Sequence, residues 1–256
     1  MKFKQMKNSL KTVVVIALLI SMGSCVAKKE MLYLQEEEGI NALETIVKVE
    51  PKIQQNDILS INVSALDAEA ALPFNLFEAG NTTSVPKPIT YLVNSDGEIN
   101  FPVLGKIKVE GYTTKEITNN LTEALAVYIK NPIVNIRLTN FKVTVLGEVK
   151  SPGTYPVPNE RISILEAIGL AGDLTIQGKR KTVVLVREQN GKRTFVNIDL
   201  TNREIMNSPY FYLAQNDVLI VEPNKSKINS SAVGANTGII LSTISFLISI
   251  LAIVTR

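Results

Sequence analysis

The stretch Gln55-Asn56-Asp57-Ile58-Leu59 returns near the far end of the chain as Gln215-Asn216-Asp217-Val218-Leu219. In both copies a turn-forming Asn-Asp pair feeds straight into aliphatic residues, the way a turn delivers the chain into a strand. After the first copy, Leu59, Ile61 and Val63 fall on one face of an alternating run from Ile58 to Ser64, the pattern of a half-buried strand. Each copy also belongs to a stretch with one well-signalled helix. In the first, Thr113 and Glu116 form a capping-box pair, and Ile117, Leu121, Leu125 and Tyr128 line one face. That helix stops before Asn131-Pro132, where the helical region is disfavoured. In the second, Ser163 and Glu166 open a shorter helix through Leu165, Ile168 and Leu170, with Gly172 as its stop. The expected fold class is α+β: two small tandem modules followed by one C-terminal transmembrane helix. Five repeated residues also fit a common turn-to-strand signature without shared ancestry.

The remaining elements fall between these landmarks. Strand-like pieces run over Ile89 to Val93, over Ile99 to Val103 after the Ser95-Asp96-Gly97 turn, and over Lys106 to Val109. Val134, Ile136 and Leu138 alternate with Asn135 and Arg137 as another strand. The stretch holding Pro73, Gly80, Pro86 and Pro88 reads as a loop. In the second module Val143 to Val149 is strand-like and ends in the turn Ser151-Pro152-Gly153. Val183 to Arg187 and Thr194 to Ile198 flank Asn190-Gly191 as a hairpin, and Asp217 to Val221 closes the module at Pro223.

Composition removes several function classes. The 256 residues contain no His, which excludes His-based acid–base catalysis, His metal sites and any Ser-His-Asp arrangement. A single Cys excludes an intrachain disulfide and a Cys-cluster zinc site. The formal charge of +3 comes from the first residues: Lys2, Lys4, Lys7 and Lys11 precede Cys25 with no acid among them. Taking those four lysines from the 27 basic side chains leaves 23 against 24 acidic ones. A nearly neutral body lacks the basic footprint of a nucleic-acid binder.

Both ends are apolar. The lysine-rich start leads into Val13 to Ile20 and then to Ser21, Gly23, Ser24 and Cys25, the layout of an export signal. The run is short of the ~20 residues that a spanning helix needs. Gly23-Ser24-Cys25 resembles the end of a bacterial lipobox, which makes Cys25 the expected lipid attachment residue. The alternative is an uncleaved anchor with an incidental buried Cys. At the other end, Gly238 to Val254 carries no charge, and its eleven Ile, Leu, Phe and Val residues favour membrane insertion by about 3 to 7 kcal/mol. Within that run Ala235, Gly238, Ser242, Ser245, Ser249 and Ala252 recur in steps of three and four, a small-residue seam along one helix face. The seam reads as a helix–helix or pore-facing surface, or else as serines bonding back to their own carbonyls.

The succession of motifs is more telling than any one of them. Gln54-Gln55-Asn56-Asp57-Ile58-Leu59, then Asp96-Gly97-Glu98-Ile99-Asn100-Phe101-Pro102-Val103-Leu104-Gly105, then Lys130-Asn131-Pro132-Ile133-Val134 resembles the polysaccharide biosynthesis/export domain. Val145-Leu146-Gly147-Glu148-Val149, Ser151-Pro152-Gly153-Thr154-Tyr155, Leu165-Glu166-Ala167-Ile168 and Ala171-Gly172 resemble a soluble-ligand-binding β-grasp domain. Together they are similar to the Wza-like outer-membrane polysaccharide export lipoproteins, in a short form with one β-grasp module. The resemblance implies residues 1–24 as signal peptide, 25–50 as tether, 51–140 as export domain, 141–224 as β-grasp domain, and 225–256 as linker and terminal helix. It further implies a homo-oligomeric ring in the outer membrane, lipid-anchored, with its body in the periplasm. The ring would conduct a capsular or extracellular polysaccharide and meet an inner-membrane polysaccharide co-polymerase with a tyrosine-kinase-type domain. No cofactor is implied beyond the lipid on Cys25.

Two other classes compete with a channel. An enzyme needs a constellation, and the best carboxylate pair, Asp96 and Glu98, sits in an evident turn where exposed acids are commonplace. Gly169, Gly172 and Gly178 do not form a dinucleotide fingerprint, because no helix opens at that spacing. The aromatic cluster Tyr210-Phe211-Tyr212 reads as strand packing in preference to a sugar platform. The expectation is no enzymatic activity. The remaining alternative is a membrane-tethered periplasmic lipoprotein that binds a glycan or other ligand without forming a channel.

Overall fold

Strand β1 (Ile58–Ser64) has the bounds its alternation predicts, and it is the centre of the first module. It pairs antiparallel with β2 (Tyr91–Leu92) on one side and β5 (Ile133–Leu138) on the other. A separate hairpin joins β3 (Glu98–Phe101) to β4 (Gly105–Lys108), with Ile99 opposite Ile107. These elements belong to a computed structural model that describes residues 30–35, 50–78, 86–189 and 191–232, and residues 238–239, 242–243, 245–246 and 248–250. The Cys25 and signal-peptide expectations, and most of the tether, lie outside the described residues.

Helix α2 (Thr114–Leu125) carries both halves of the capping box: Glu116 N–H donates to Thr113 Oγ1, and the Glu116 carboxylate accepts from Thr113 N–H at 2.7 Å. Those bonds hold the Glu116 carboxyl below its ordinary value. The helix fully buries Ile117, Leu121 and Leu125. It ends at Leu125, so Tyr128 does not continue the buried stripe; it is exposed and leans on Phe74 with ring centroids 6.1 Å apart. The chain needs those residues to reverse into β5, and it does so through Asn131 in a left-handed conformation (φ 52°) before Pro132. The stretch expected as loop contains helix α1 (Ala68–Ala71), started by Asp67, whose side chain accepts from Glu69 N–H. Strand β2 is shorter than Ile89 to Val93 because only Ile58 and Leu59 are opposite it.

The second module is a five-stranded sheet in the order β7-β6-β10-β8-β9. Its strands are β6 (Lys142–Gly147), β7 (Gly153–Pro156), β8 (Gly178–Gln189), β9 (Lys192–Ile198) and β10 (Val218–Pro223). Strand β10 is central, parallel to β6 and antiparallel to β8. Gly147 ends β6 at φ 89°, and a Cβ there would stand 2.0 Å from the Val221 carbonyl oxygen, so only glycine permits this approach. Helix α3 (Ile164–Leu170) has the second complete capping box. Its buried stripe is Ile164, Ala167, Ile168 and Ala171, which turns Leu170 outward instead of inward as its apolar character suggested. Strand β7 falls where the sequence suggested only a turn, with Gly153 opposite Val145. Helix α4 (Lys225–Ala232) occupies the expected linker.

There are two hydrophobic cores, one per module, and Leu138 packs against both. The repeated motif holds the junction between them. Asn56 and Asn216 are both left-handed, at φ 66° and 63°, and each following Asp closes its own turn, accepting from Gln54 N–H at 2.8 Å and from Ala214 N–H at 2.7 Å. Asn140 donates to Asn56 O and accepts from Ile58 N–H, while Gln215 donates to Asn140 O and accepts from Lys142 N–H. The connecting peptide is thus gripped from both sides by the two copies.

A strap from the N-terminal side docks on the second module. Leu34 and Gln35 N–H groups donate to Leu200 and Thr201 carbonyls, and Gln35 bridges parallel to Asn202. The Tyr33 hydroxyl donates to Asp173, and the Arg180 guanidinium lies 5.2 Å from the ring centroid. Burial first, and the Asp173 bond second, push the Tyr33 phenol up to about 12.

Candidate functional site

Where the modules meet, a cleft of about 1340 Å³ opens between α2 and β5 of the first and the α3 end of the second. That exceeds the 300–1,000 Å³ typical of small-ligand pockets and suits an extended ligand. Four cations border it, each delivered by local structure. Lys52 lies in the segment that bridges antiparallel to Thr113, and Lys115 is in the first turn of α2. Arg137 points outward because the alternation of β5 buries Val134 and Ile136. Arg161 precedes α3, with its guanidinium 5.1 Å from the centroid of the Tyr212 ring. Among the described residues none of the four makes an ion pair within 4.0 Å.

Three carboxylates share the lining: Glu50, Glu160 and Glu166. Glu166 is committed to the helix cap, accepting from the Ser163 N–H at 2.7 Å and hydroxyl at 2.8 Å, and these bonds keep its carboxyl below the ordinary value. Phe211 is in the core and meets Tyr212 edge-on at 5.1 Å, while Tyr210 lies under Arg187. The aromatic cluster therefore divides: Phe211 packs, and Tyr212 joins the cleft wall beneath Arg161. No linear motif advertises this cleft, since its cations come from four separate segments. The one local signal was the outward register of Arg137 on β5.

The residues singled out from the sequence lie elsewhere. Gly238, Ser242, Ser245 and Ser249 are helical and exposed; Cys25, Ala235 and Ala252 lie outside the described residues. The Ser242 and Ser249 hydroxyls donate to the Ile239 and Ser245 carbonyls of their own helix. Among the described residues no helix is long and apolar enough to cross a membrane, and the Gly238 to Val254 run lies partly outside them. Asp96 is in the turn before β3, and Glu98, opposite Lys108 in the hairpin, has the diagonal Lys106 ammonium 3.8 Å from its carboxylate. Among the described residues no three His, Cys, Asp or Glu side chains converge as a metal site.

A strand-and-helix module joined through Asn140 to a mixed five-stranded sheet, with a charged cleft between them, defines a two-module α+β body. The family described as polysaccharide biosynthesis/export protein matches residues 47–139, and the SLBB domain matches residues 142–197. An export domain followed by an SLBB domain is the arrangement that makes this chain similar to the Wza-like polysaccharide export proteins. It is 28% identical over 199 residues to the "EPS I polysaccharide export outer membrane protein EpsA" of Ralstonia solanacearum, covering 73% of this chain and 52% of that protein. The protein of the same name from Ralstonia nicotianae is 29% identical over 181 residues, covering 67% and 47%. The "Exopolysaccharide production protein ExoF" of Rhizobium meliloti is 29% identical over 89 residues, covering 33% and 21%. The chain thus spans about half the length of the two EpsA relatives it matches.

Proposed function

We propose that this chain is an outer-membrane lipoprotein subunit of a ring-shaped channel that exports an extracellular or capsular polysaccharide from the periplasm, without enzymatic activity. The observation that carries this reading is the export domain followed directly by an SLBB domain, in a chain similar to two proteins named for polysaccharide export in the outer membrane. In it, Cys25 bears the lipid and residues near Gly238 to Val254 cross the outer membrane. Gly238, Ser242, Ser245, Ser249 and Ala252 face neighbouring subunits, where small residues let helices approach closely. An inner-membrane co-polymerase with a tyrosine-kinase-type domain is the proposed partner.

Cells lacking the chain should retain polymer within the envelope, with the repeat unit chemically unchanged, and the wild-type chain should restore export. Ser245→Leu keeps the terminal run apolar but places bulk in the seam, so it should restore less export at equal membrane levels. Polymer release undiminished by the deletion would refute the export role; covalent alteration of the glycan by purified protein would refute the non-enzymatic one.

The lipid assignment makes a separate prediction. Cys25→Ser should leave an unprocessed precursor that takes up no labelled fatty acid. Labelling of the variant equal to that of the wild type would place the modification elsewhere.

A further inference from the structure

We infer that the cleft between the two modules is a binding site for an anionic carbohydrate segment, one bearing carboxylates such as uronic acids. The inference rests on the export reading for the class of ligand, and on the cleft for its charge. Lys115 and Arg137 line the cleft from the first module with no side-chain hydrogen-bond or ion-pair partner among the described residues; the charge acting on Lys52 is that of Glu116, and Arg161 has Glu166 and the Tyr212 ring beside it. Cations left without partners around a shared concavity are poised for an external anion. Of the three carboxylates, Glu166 is already bonded to Ser163, which leaves Glu50 and Glu160 against four cations. The Arg161 guanidinium carbon lies over the Tyr212 ring at 5.1 Å from its centroid and the group has no ion-pair partner among the described residues, and a guanidinium is the side chain suited to bidentate carboxylate recognition. The volume accommodates several sugar rings, so one ligand can span Arg137 on the first module and Arg161 on the second.

The test is equilibrium binding of hexagalacturonate and of neutral maltohexaose to the detergent-extracted full chain. Hexagalacturonate should bind and weaken with salt, and maltohexaose should not compete. Arg137→Gln/Arg161→Gln should weaken hexagalacturonate binding by about tenfold or more, a loss of at least ~1.4 kcal/mol. Lys192→Gln/Arg193→Gln, on the β9 hairpin away from the cleft, should leave it unchanged. An unaltered urea midpoint in both variants excludes misfolding as the cause. Equal binding of the two sugars, or an undiminished affinity in the cleft variant, overturns the proposal. So does a cleft variant whose oligomer profile changes while hexagalacturonate affinity stays the same, because a second copy would then be the occupant. Failure here leaves the export phenotype of the deletion untouched; loss of that phenotype alone leaves the measured hexagalacturonate binding standing.

Discussion

Arg187→Leu is expected to destabilise the second module by about 3 to 5 kcal/mol, the usual cost of stranding one member of a buried ion pair. Asp217 is fully buried, and Arg187 reaches it with Nε 3.0 Å from one carboxylate oxygen and a terminal nitrogen 2.7 Å from the other. The same guanidinium donates to the Tyr212 carbonyl at 3.1 Å and lies 5.5 Å from the Tyr210 centroid. Leucine replaces the aliphatic bulk and leaves the carboxylate uncompensated. Burial already pushes the Asp217 carboxyl up against the opposing pull of Arg187, so without that arginine its protonated form is favoured further. The loss should therefore shrink as pH falls, and Arg187→Leu/Asp217→Asn should recover part of it at neutral pH. Urea midpoints of the extracted protein measure this, with the m-value unchanged. A midpoint equal to that of the wild type would mean the pair contributes nothing.

The first copy of the motif makes the opposite prediction. Asp57 occupies the same turn position and is as deeply buried, yet no arginine meets it, and its Oδ1 has no hydrogen-bond partner among the described residues. Burial, offset only in part by the Gln54 N–H, pushes its carboxyl from 3.8 up to about 6. A raised carboxyl means the folded state resists ionisation. Its contribution is fully present below pH ~4, is lost between about 4 and 6, and stays lost above that. The penalty at pH 7.5 is about 3 kcal/mol. Asp57→Asn keeps an acceptor for Gln54 and cannot ionise. Relative to the wild type, it should gain about that much between pH 4 and pH 7.5, read as urea midpoints. An equal difference at the two pH values would show that Asp57 does not titrate in this window.

Features that depend on short-range chemistry were legible from the sequence. The alternation of Ile58 to Ser64, the capping boxes at Thr113 and Ser163, and the Asn190-Gly191 hairpin signal each involve residues a few positions apart. What escaped notice depended on partners far along the chain. Strand β7 exists because Val143 and Val145 lie opposite it, and β2 is short because β1 offers it only two residues. The end of α2 at Leu125 was set by the reversal into β5 rather than by propensity. The cleft was invisible for the same reason: Lys52, Lys115, Arg137 and Arg161 become neighbours only when both modules are in place. In sequence the repeated Gln-Asn-Asp motif marks two strand entries, and the joint hold on the Asn140 peptide exists only in three dimensions.

The strap at Tyr33 sets a mooring distance. With Cys25 acylated as proposed, five peptide steps separate the bilayer anchor from Glu30, a leash of at most ~18 Å. Glu30 is within 3.6 Å of Lys181, and Tyr33 is clamped between Asp173 and Arg180, so the leash is fastened to the five-stranded module. Helix α4 and the apolar run leave from β10 of that same module. If both proposed ties hold, any pull from the bilayer is borne by the five-stranded module alone and reaches the other module through the Asn140 peptide.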